Sequence, residues 1–412
     1  MEVFQDKTRQ VCVAGAGIAG MSAAIALANK GIKVTLLEKE PYPHEAGAGI
    51  QLAPNATSLL HAWGVLDSLY EDAVEPDKIS LKDGRTSHTL MQMAICSLSR
   101  QRWKAPYITI HRADLQTALK KVVDRIPLIT FKAGHEIVSY AGSALSGFRI
   151  KILHGHTTSE ISTPCLINCD GIRSKMRKKL SEQAIFSGYT AWRTTLMIRQ
   201  GLPVFLDIDD SNIVCVWMGA NGHFITYPLK NGQYYNFVAI TMREHDPHSM
   251  KHSGKVGGDM LVSFFKGWHP TVVDMIQHVQ KWTCCPIFHM PFPRFFGPAG
   301  EIFLGDASHA LTPFTAQGAA MAIEDAAALA HALSANNFSE MEALVLFNSE
   351  RCKRLKLVAR RSFLNRLVYH AFGPLAFLRN LAMKIRCSEK FLTDLDWLYG
   401  YNATGFLSND RE

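Results

Sequence analysis

The chain has 412 residues, 47% hydrophobic and 19% charged. This suits a folded protein with a sizeable core and excludes a disordered one. The net charge of +8 resides in one stretch, residues 351–386, which holds ten Lys/Arg and no Asp/Glu; the remainder is near neutral, so the chain-wide basic footprint of a nucleic-acid binder is missing. No apolar run reaches the roughly 18–20 residues that span a bilayer.

Residues 10–14 (QVCVA) are a short apolar run, read as a buried strand. A glycine-rich turn follows, then an Ala-rich helix over 21–29, ended by Gly31, and a second buried strand over 33–37 (KVTLL). Strand, tight turn, helix and strand within about 30 residues make a βαβ unit. Helices are expected over 55–63 and 113–123, with start signals at Pro54-Asn55 and His111-Arg112. Residues 78–92 alternate around Asp83-Gly84, a hairpin signal. Residues 187–242 are strongly β, with Asn231-Gly232 as a two-residue turn. A strand at 301–304 resumes the parallel pattern, an Ala-rich helix covers 317–333, and residues 341–387 are helical by period.

The expected fold class is α/β: a Rossmann-type domain with an inserted antiparallel substrate domain and C-terminal helices. The nucleotide domain is read as discontinuous, residues 1–178 and 296–340. The β domain takes 179–295 with the hairpin 78–92, and the C-terminal region takes 341–412.

The run Gly15-Ala16-Gly17-Ile18-Ala19-Gly20 is GxGxxG. Gly15 permits the tight turn, Gly17 lets the backbone approach a pyrophosphate, and Gly20 lets helix and strand pack closely. The helix N-terminus adds free N–H groups and a partial positive charge. Glu38, followed by Lys39, ends the second strand 23 residues after Gly15, where an acid takes the adenosine ribose. The motif leaves NAD and FAD open. Asp306, after a short apolar strand, can hold a ribityl hydroxyl. The helix starting near Gln317-Gly318-Ala319 aims its amides at the pyrimidine edge of a flavin. Cys169-Asp170-Gly171-Ile172-Arg173-Ser174 is a third piece.

These three motifs, in this order and spacing, resemble the single-component FAD-dependent aromatic hydroxylases, the group of para-hydroxybenzoate and salicylate hydroxylases. GAGIQLAPNATSLLHAWGVLD and GDASHALTPFTAQGAAMAIEDA are similar to the salicylate-hydroxylase-like branch, and GYTAWR and HFITYP to its fungal natural-product hydroxylases. The resemblance covers roughly residues 11–333 and weakens beyond about 345. It implies FAD as cofactor and NAD(P)H as a transient hydride donor. It also implies O2 activation as a flavin C4a-hydroperoxide and a small aromatic substrate, hydroxylated with or without dearomatisation or decarboxylation. It places Gly15, Gly17, Gly20 and Glu38 on the ADP half and Ala48 and Gly49 beside the flavin ring. Arg112 falls on the pyrophosphate or ribityl chain, Asp306, Gly318 and Ala319 on the ribityl and ring, and Asp170 and Arg173 beside FAD and passing NAD(P)H. Arg193, in GYTAWR, would pair with a phenolate or carboxylate, and Tyr227, in HFITYP, would hydrogen-bond the same oxygen.

Two alternatives stay open: oxygenation of a non-phenolic ring (an indole alkaloid, pyridine or quinolone), and a flavin-binding protein without oxygenase activity. His309 is expected to make a structural hydrogen bond, Pro313 to shape the flavin loop, His223 to serve a turn or strand, and Trp192 and Trp217 to sit in the core. No HExxH-like pattern points to a metal and no GxSxG to a hydrolase. The polar N-terminus lacks a signal peptide's apolar core. Nine scattered cysteines, with no second pair answering Cys165/Cys169 or Cys284/Cys285, read as reduced thiols of a cytoplasmic protein. The sequons at Asn55, Asn337 and Asn402 then carry no glycan. The basic segment is expected to be a helix packed on the nucleotide domain with a solvated face, membrane contact being the lesser alternative. Oligomeric state is left open.

Overall fold

The computed structural model describes residues 10–41, 48–178, 180, 182–198, 211–242, 255–256, 258–335, 339–386 and 388–407. The polar N-terminus up to residue 9, Ala46 and Gly47, the sequon Asn337 and Cys387 lie outside the described residues.

Five strands form a parallel sheet in the order Ile302–Phe303, Cys165–Asn168, Gln10–Ala14, Lys33–Leu37, Ile129–Lys132. The central strand is apolar from Val11 to Ala14 because both its faces are covered there: Val11, Cys12 and Val13 are fully buried. The chain winds outward from it in both directions. The topological switch point therefore falls between Gln10–Ala14 and Cys165–Asn168, and ligands bind such sheets at the carboxyl ends flanking that gap. Helix Ile18–Ala28 packs against helix Gly318–Leu333, so the GxGxxG loop and the Gln317-Gly318-Ala319 segment are neighbours.

A second sheet has eight strands. Its order is Lys255–Val256, Trp282–His289, Ile185–Met197, Tyr234–Met242, Gly222–Leu229, Ile213–Gly219, Lys78–Asp83, Thr89–Ala94. The period-2 pleat sorts its side chains. Trp192, Trp217, Phe224 and Phe237 enter one core beneath two short helices, Asp259–Phe264 and Pro270–His278. Arg193, Ile225, Tyr227 and Val238 point the other way. The Asn231-Gly232 turn is longer than its sequence suggests: residues 230–233 link the strands, with Lys230, Asn231 and Gly232 all at positive φ. A two-stranded ribbon, Gly49–Leu52 with Ile108–His111, and a meander, His135–Ser143, Gly147–His154 and Thr157–Thr163, complete the β structure.

The C-terminal helical run is two helices. Glu340–Tyr369 starts at a Ser339/Glu342 capping box. The break comes at Gly373 (φ +54°), after which Gly373–Ile385 begins with Pro374 in its first turn. The basic segment is not one solvated face. Arg351 donates to Asp325 (2.9 Å) and Glu324 (2.6 Å), and Arg354 donates to Glu324 (2.8 Å), with all four side chains buried. Arg379 is also buried, against Asp83. The acids on the Ala-rich helix attract these cations because a buried carboxylate needs a counter-charge.

Candidate active site

Three connected cavities lie between the parallel sheet, the eight-stranded sheet and the C-terminal helices. The first, about 310 Å³, is lined by Gly15, Gly17, Glu38, Lys39, Asp170 and Arg173 among others. The second, about 320 Å³, shares Gly17, Cys169 and Gly171 with it and reaches Ile18, Ala19, Gly49, Arg112, Asp306, Gly318 and Ala319. Arg193 and Tyr227 form its opposite wall. The third, about 440 Å³, meets the second at Gln51, Ile225, Pro313 and Ala316.

The nucleotide end is built by backbone. Gly15 has φ +92°, and a Cβ there would lie 2.6 Å from the carbonyl oxygen of Cys169. Gly20 faces away from the cavities; its Cα abuts the Gly15 carbonyl, a contact that seats the helix on the loop. Glu38 accepts from the Ala16 N–H at 2.7 Å, which ties the second strand to the loop. Asp170 hangs beside the same gap. One of its carboxylate oxygens is buried with no hydrogen-bond partner, and burial pushes its pKa up.

The middle cavity is a meeting of distant segments. Ala48 accepts from the Arg112 N–H, and the Gly49 N–H donates to Asn236 at 2.8 Å. A Cβ on Gly49 would stand 2.7 Å from the Tyr227 ring and 2.9 Å from Asn236, so only glycine lets the ribbon touch the sheet here. Arg193 pairs in register with Val238, and Val238 with Ile225, which sets the guanidinium on the same face as Tyr227. Burial pushes the Tyr227 phenol well up, with Arg193 pulling the other way, so Tyr227 keeps its proton and can donate. Asp306 is exposed at the N-terminus of a short helix, and His309 bonds Asp325.

The third cavity is apolar. Ile79, Leu81, Met91, Met93, Val214 and Val216 form its floor, and side chains of both C-terminal helices roof it. His223 lies in strand Gly222–Leu229, in keeping with its expected turn or strand role; it is fully buried, lines this chamber, and meets His370 at 2.8 Å, Nδ1 to Nε2. Its Nε2 has no partner. Burial drives His223 well below the usual histidine pKa, and burial, then Arg366, lower His370 to about 4, so both rings are neutral. His370, Asn236 and Gln51 carry no sequence signal. Glu324-Asp325 did offer one, as two acids amid alanines facing a chain whose spare cations follow 20-odd residues later. Trp192 and Trp217 line none of these cavities and belong to the core.

The cleft suits a flavin dinucleotide. Cβ atoms built on Gly17 and Gly318, at two helix starts lining the middle cavity, would meet nothing within 4 Å, and Asp170, with one buried carboxylate oxygen unpartnered, lines the first cavity beside Gly15, Gly17 and Glu38. A Rossmann cleft that continues into a wall of antiparallel strands carrying a fixed cation defines a flavin-dependent oxidoreductase. The profile of the FAD binding domain family matches residues 8–362, and the chain belongs to that family. It is an FAD-dependent monooxygenase with NAD(P)H as co-substrate. It is 31% identical to the 3-hydroxybenzoate 6-hydroxylase of Polaromonas naphthalenivorans (strain CJ2), over 97% of this chain and 98% of that protein. It is 29% identical to an FAD-dependent monooxygenase of Beauveria bassiana (strain ARSEF 2860), over 95% and 94%. In fold it is similar to a salicylate hydroxylase substrate complex, with TM-score 0.79 and 20% identity over 97% and 98% of the two chains.

Proposed function

We propose that this chain hydroxylates a phenolic ring seated between the nucleotide loops and the open face of the eight-stranded sheet. The carrying observation is that Arg193 and Tyr227 share one cavity with Gly17, Asp306, Gly318 and Ala319. Bound FAD supplies the hydride acceptor and the activation of O2. The residues to hold it are Gly15, Ala16, Gly17, Ile18, Ala19, Glu38 and Lys39 at the ADP half, with Gly20 seating the helix behind the loop and Asp170 and Arg173 beside them. Ala48, Gly49, Arg112, Asp306, Gly318 and Ala319 hold the ribityl and ring half. This arrangement supports reading residues 1–178 and 296–340 as the nucleotide unit, 179–295 as the substrate unit and 341–412 as its C-terminal cover, in a cytoplasmic enzyme.

Arg193 cannot lose its proton, so it stabilises a phenolate wherever the ring places its oxygen nearby. Tyr227 donates a hydrogen bond to that oxygen and fixes the ring's orientation. The apolar chamber behind Ile225 and Pro313 excludes water and receives the rest of the substrate. The 3-hydroxybenzoate hydroxylases and the 3-amino-4-hydroxybenzoate monooxygenase of Streptomyces cremeus among its relatives are named for phenolic acids, which favours a phenol here too. The Arg193→Ala variant is expected to purify yellow and form no product in an NAD(P)H and O2 assay; full turnover would exclude the role.

A further inference from the structure

We propose that the outer face of the two C-terminal helices docks on an anionic membrane, and that the apolar chamber receives its substrate through this face. The second clause rests on the functional reading above; the docking itself does not.

Helix Gly373–Ile385 has two unlike sides. Arg379, Ala382 and Met383, with Arg386 just past its end, are spaced three and four apart and line the chamber. On the opposite side Phe377, Leu378, Leu381 and Ile385 are 68%, 57%, 47% and 75% exposed. Phe372 and Leu375, before and within the first turn, are each 63% exposed. The preceding helix carries a second exposed face of the same kind. Lys353, Lys356 and Arg360, then Phe363, Leu364 and Leu367, fall on one of its faces by spacing, and all are exposed. A basic half and an apolar half therefore lie in sequence along one surface. Stray exposed apolar residues are ordinary, but a contiguous group of this kind marks an interaction site.

The charge selects the occupant. Residues 351–386 contain no acid. Setting aside the internal Arg351, Arg354 and Arg379, and Arg386, which pairs with Asp394, cations still border the apolar group. A second copy would place like charge against like charge, whereas anionic headgroups complement the cations and accept the apolar side chains at the acyl boundary. No helix among the described residues is long and apolar enough to cross a membrane, so the contact is with one leaflet. Leu364 belongs both to this exposed face and to the chamber's lining, so the face borders the chamber's rim; the chamber's other exposed lining residues, Ala382 and Arg386, lie on the inner side of the second helix. A lipophilic aromatic dissolved in the leaflet thus reaches the chamber's rim at Leu364.

The test uses full-length, FAD-loaded protein in flotation with vesicles of phosphatidylcholine alone or with about one-third phosphatidylserine. The protein is expected to float with the anionic vesicles. Binding should fall about tenfold or more without phosphatidylserine and again when salt rises from about 0.1 to about 0.5 M. Phe377→Ser with Ile385→Ser, both outside the cavities, should lower binding by more than about tenfold while flavin content stays unchanged. Lys353→Glu with Lys356→Glu should lower it by about tenfold or more through charge alone. Turnover of a water-soluble phenol should be unchanged in both. Absence of flotation with anionic vesicles, or flotation indifferent to both double variants, overturns the proposal. So does a self-associated protein that fails to float and that Phe377→Ser with Ile385→Ser dissociates. Flotation is read without turnover, so loss of oxygenase activity on every phenol tested would sink the functional reading and leave this one standing.

Discussion

The nucleotide cleft and the apolar chamber adjoin at Pro313 and Ala316, yet they are made differently. The cleft is lined by loops whose glycines are required by backbone geometry. The chamber is lined by ordinary apolar side chains from strands and helices up to about 300 residues apart in the chain. A site built by backbone must repeat a motif, because few residues tolerate its conformations. A site built by side chains needs only volume and polarity, and many sequences supply those. The cleft consequently commits the protein to one cofactor, while the chamber is free to set the substrate.

Four substitutions would break or sharpen this contrast. Gly15→Ala should be the most severe: the left-handed backbone and the 2.6 Å approach to Cys169 leave no place for a methyl, so the protein should emerge colourless or insoluble. Normal absorbance of bound flavin would refute the backbone account. Arg193→Ala should keep the flavin yet bring product formation below detection, a loss of at least about 10²–10³-fold in kcat, the usual effect of removing one electrostatic partner of developing charge. Met93→Trp, in the chamber floor, should leave flavin content intact and raise KM for a bulky phenol about tenfold, since an overfilled cavity costs about 1–3 kcal/mol. A parallel loss of flavin would mean that the two cavities are not separable. The smallest effect concerns pH. His370 binds a proton near 6.5 when unfolded and only near 4 when folded. Stability is therefore complete above pH 6.5 and declines as pH falls toward 4. His370→Asn should flatten that decline in a plot of Tm against pH, and an unaltered slope would remove His370 from the account.

The same contrast explains what could be read from the sequence. The strands at 10–14 and 33–37 fall where their apolar runs place them, and the loop between them follows from three glycines. Six strands of the eight-stranded sheet fall mainly within the stretches 78–92 and 187–242 read as β, but Lys255–Val256 and Trp282–His289 were not legible, nor was which side of each strand faces the cavity; that depended on the Arg193–Val238–Ile225 register. The pairing of His223 with His370 was not legible because the partner lies 147 positions later. The basic segment misled for a similar reason. Charge counts cannot distinguish Lys353, which is solvated, from Arg351, whose acids sit on a helix made earlier in the chain. Local propensity is visible in sequence; the identity of a distant counter-ion is not.

The parallel sheet has a consequence for biosynthesis. Its central strand, residues 10–14, leaves the ribosome early, but the edge strand 302–303 and the helix 318–333 that completes the cleft come after about three-quarters of the chain. The carboxylates of Glu324 and Asp325 then wait for Arg351 and Arg354 before they can be shielded from water. A nascent chain that ends before residues 318–322 lacks part of the cleft's lining, so the cleft is finished only late in synthesis.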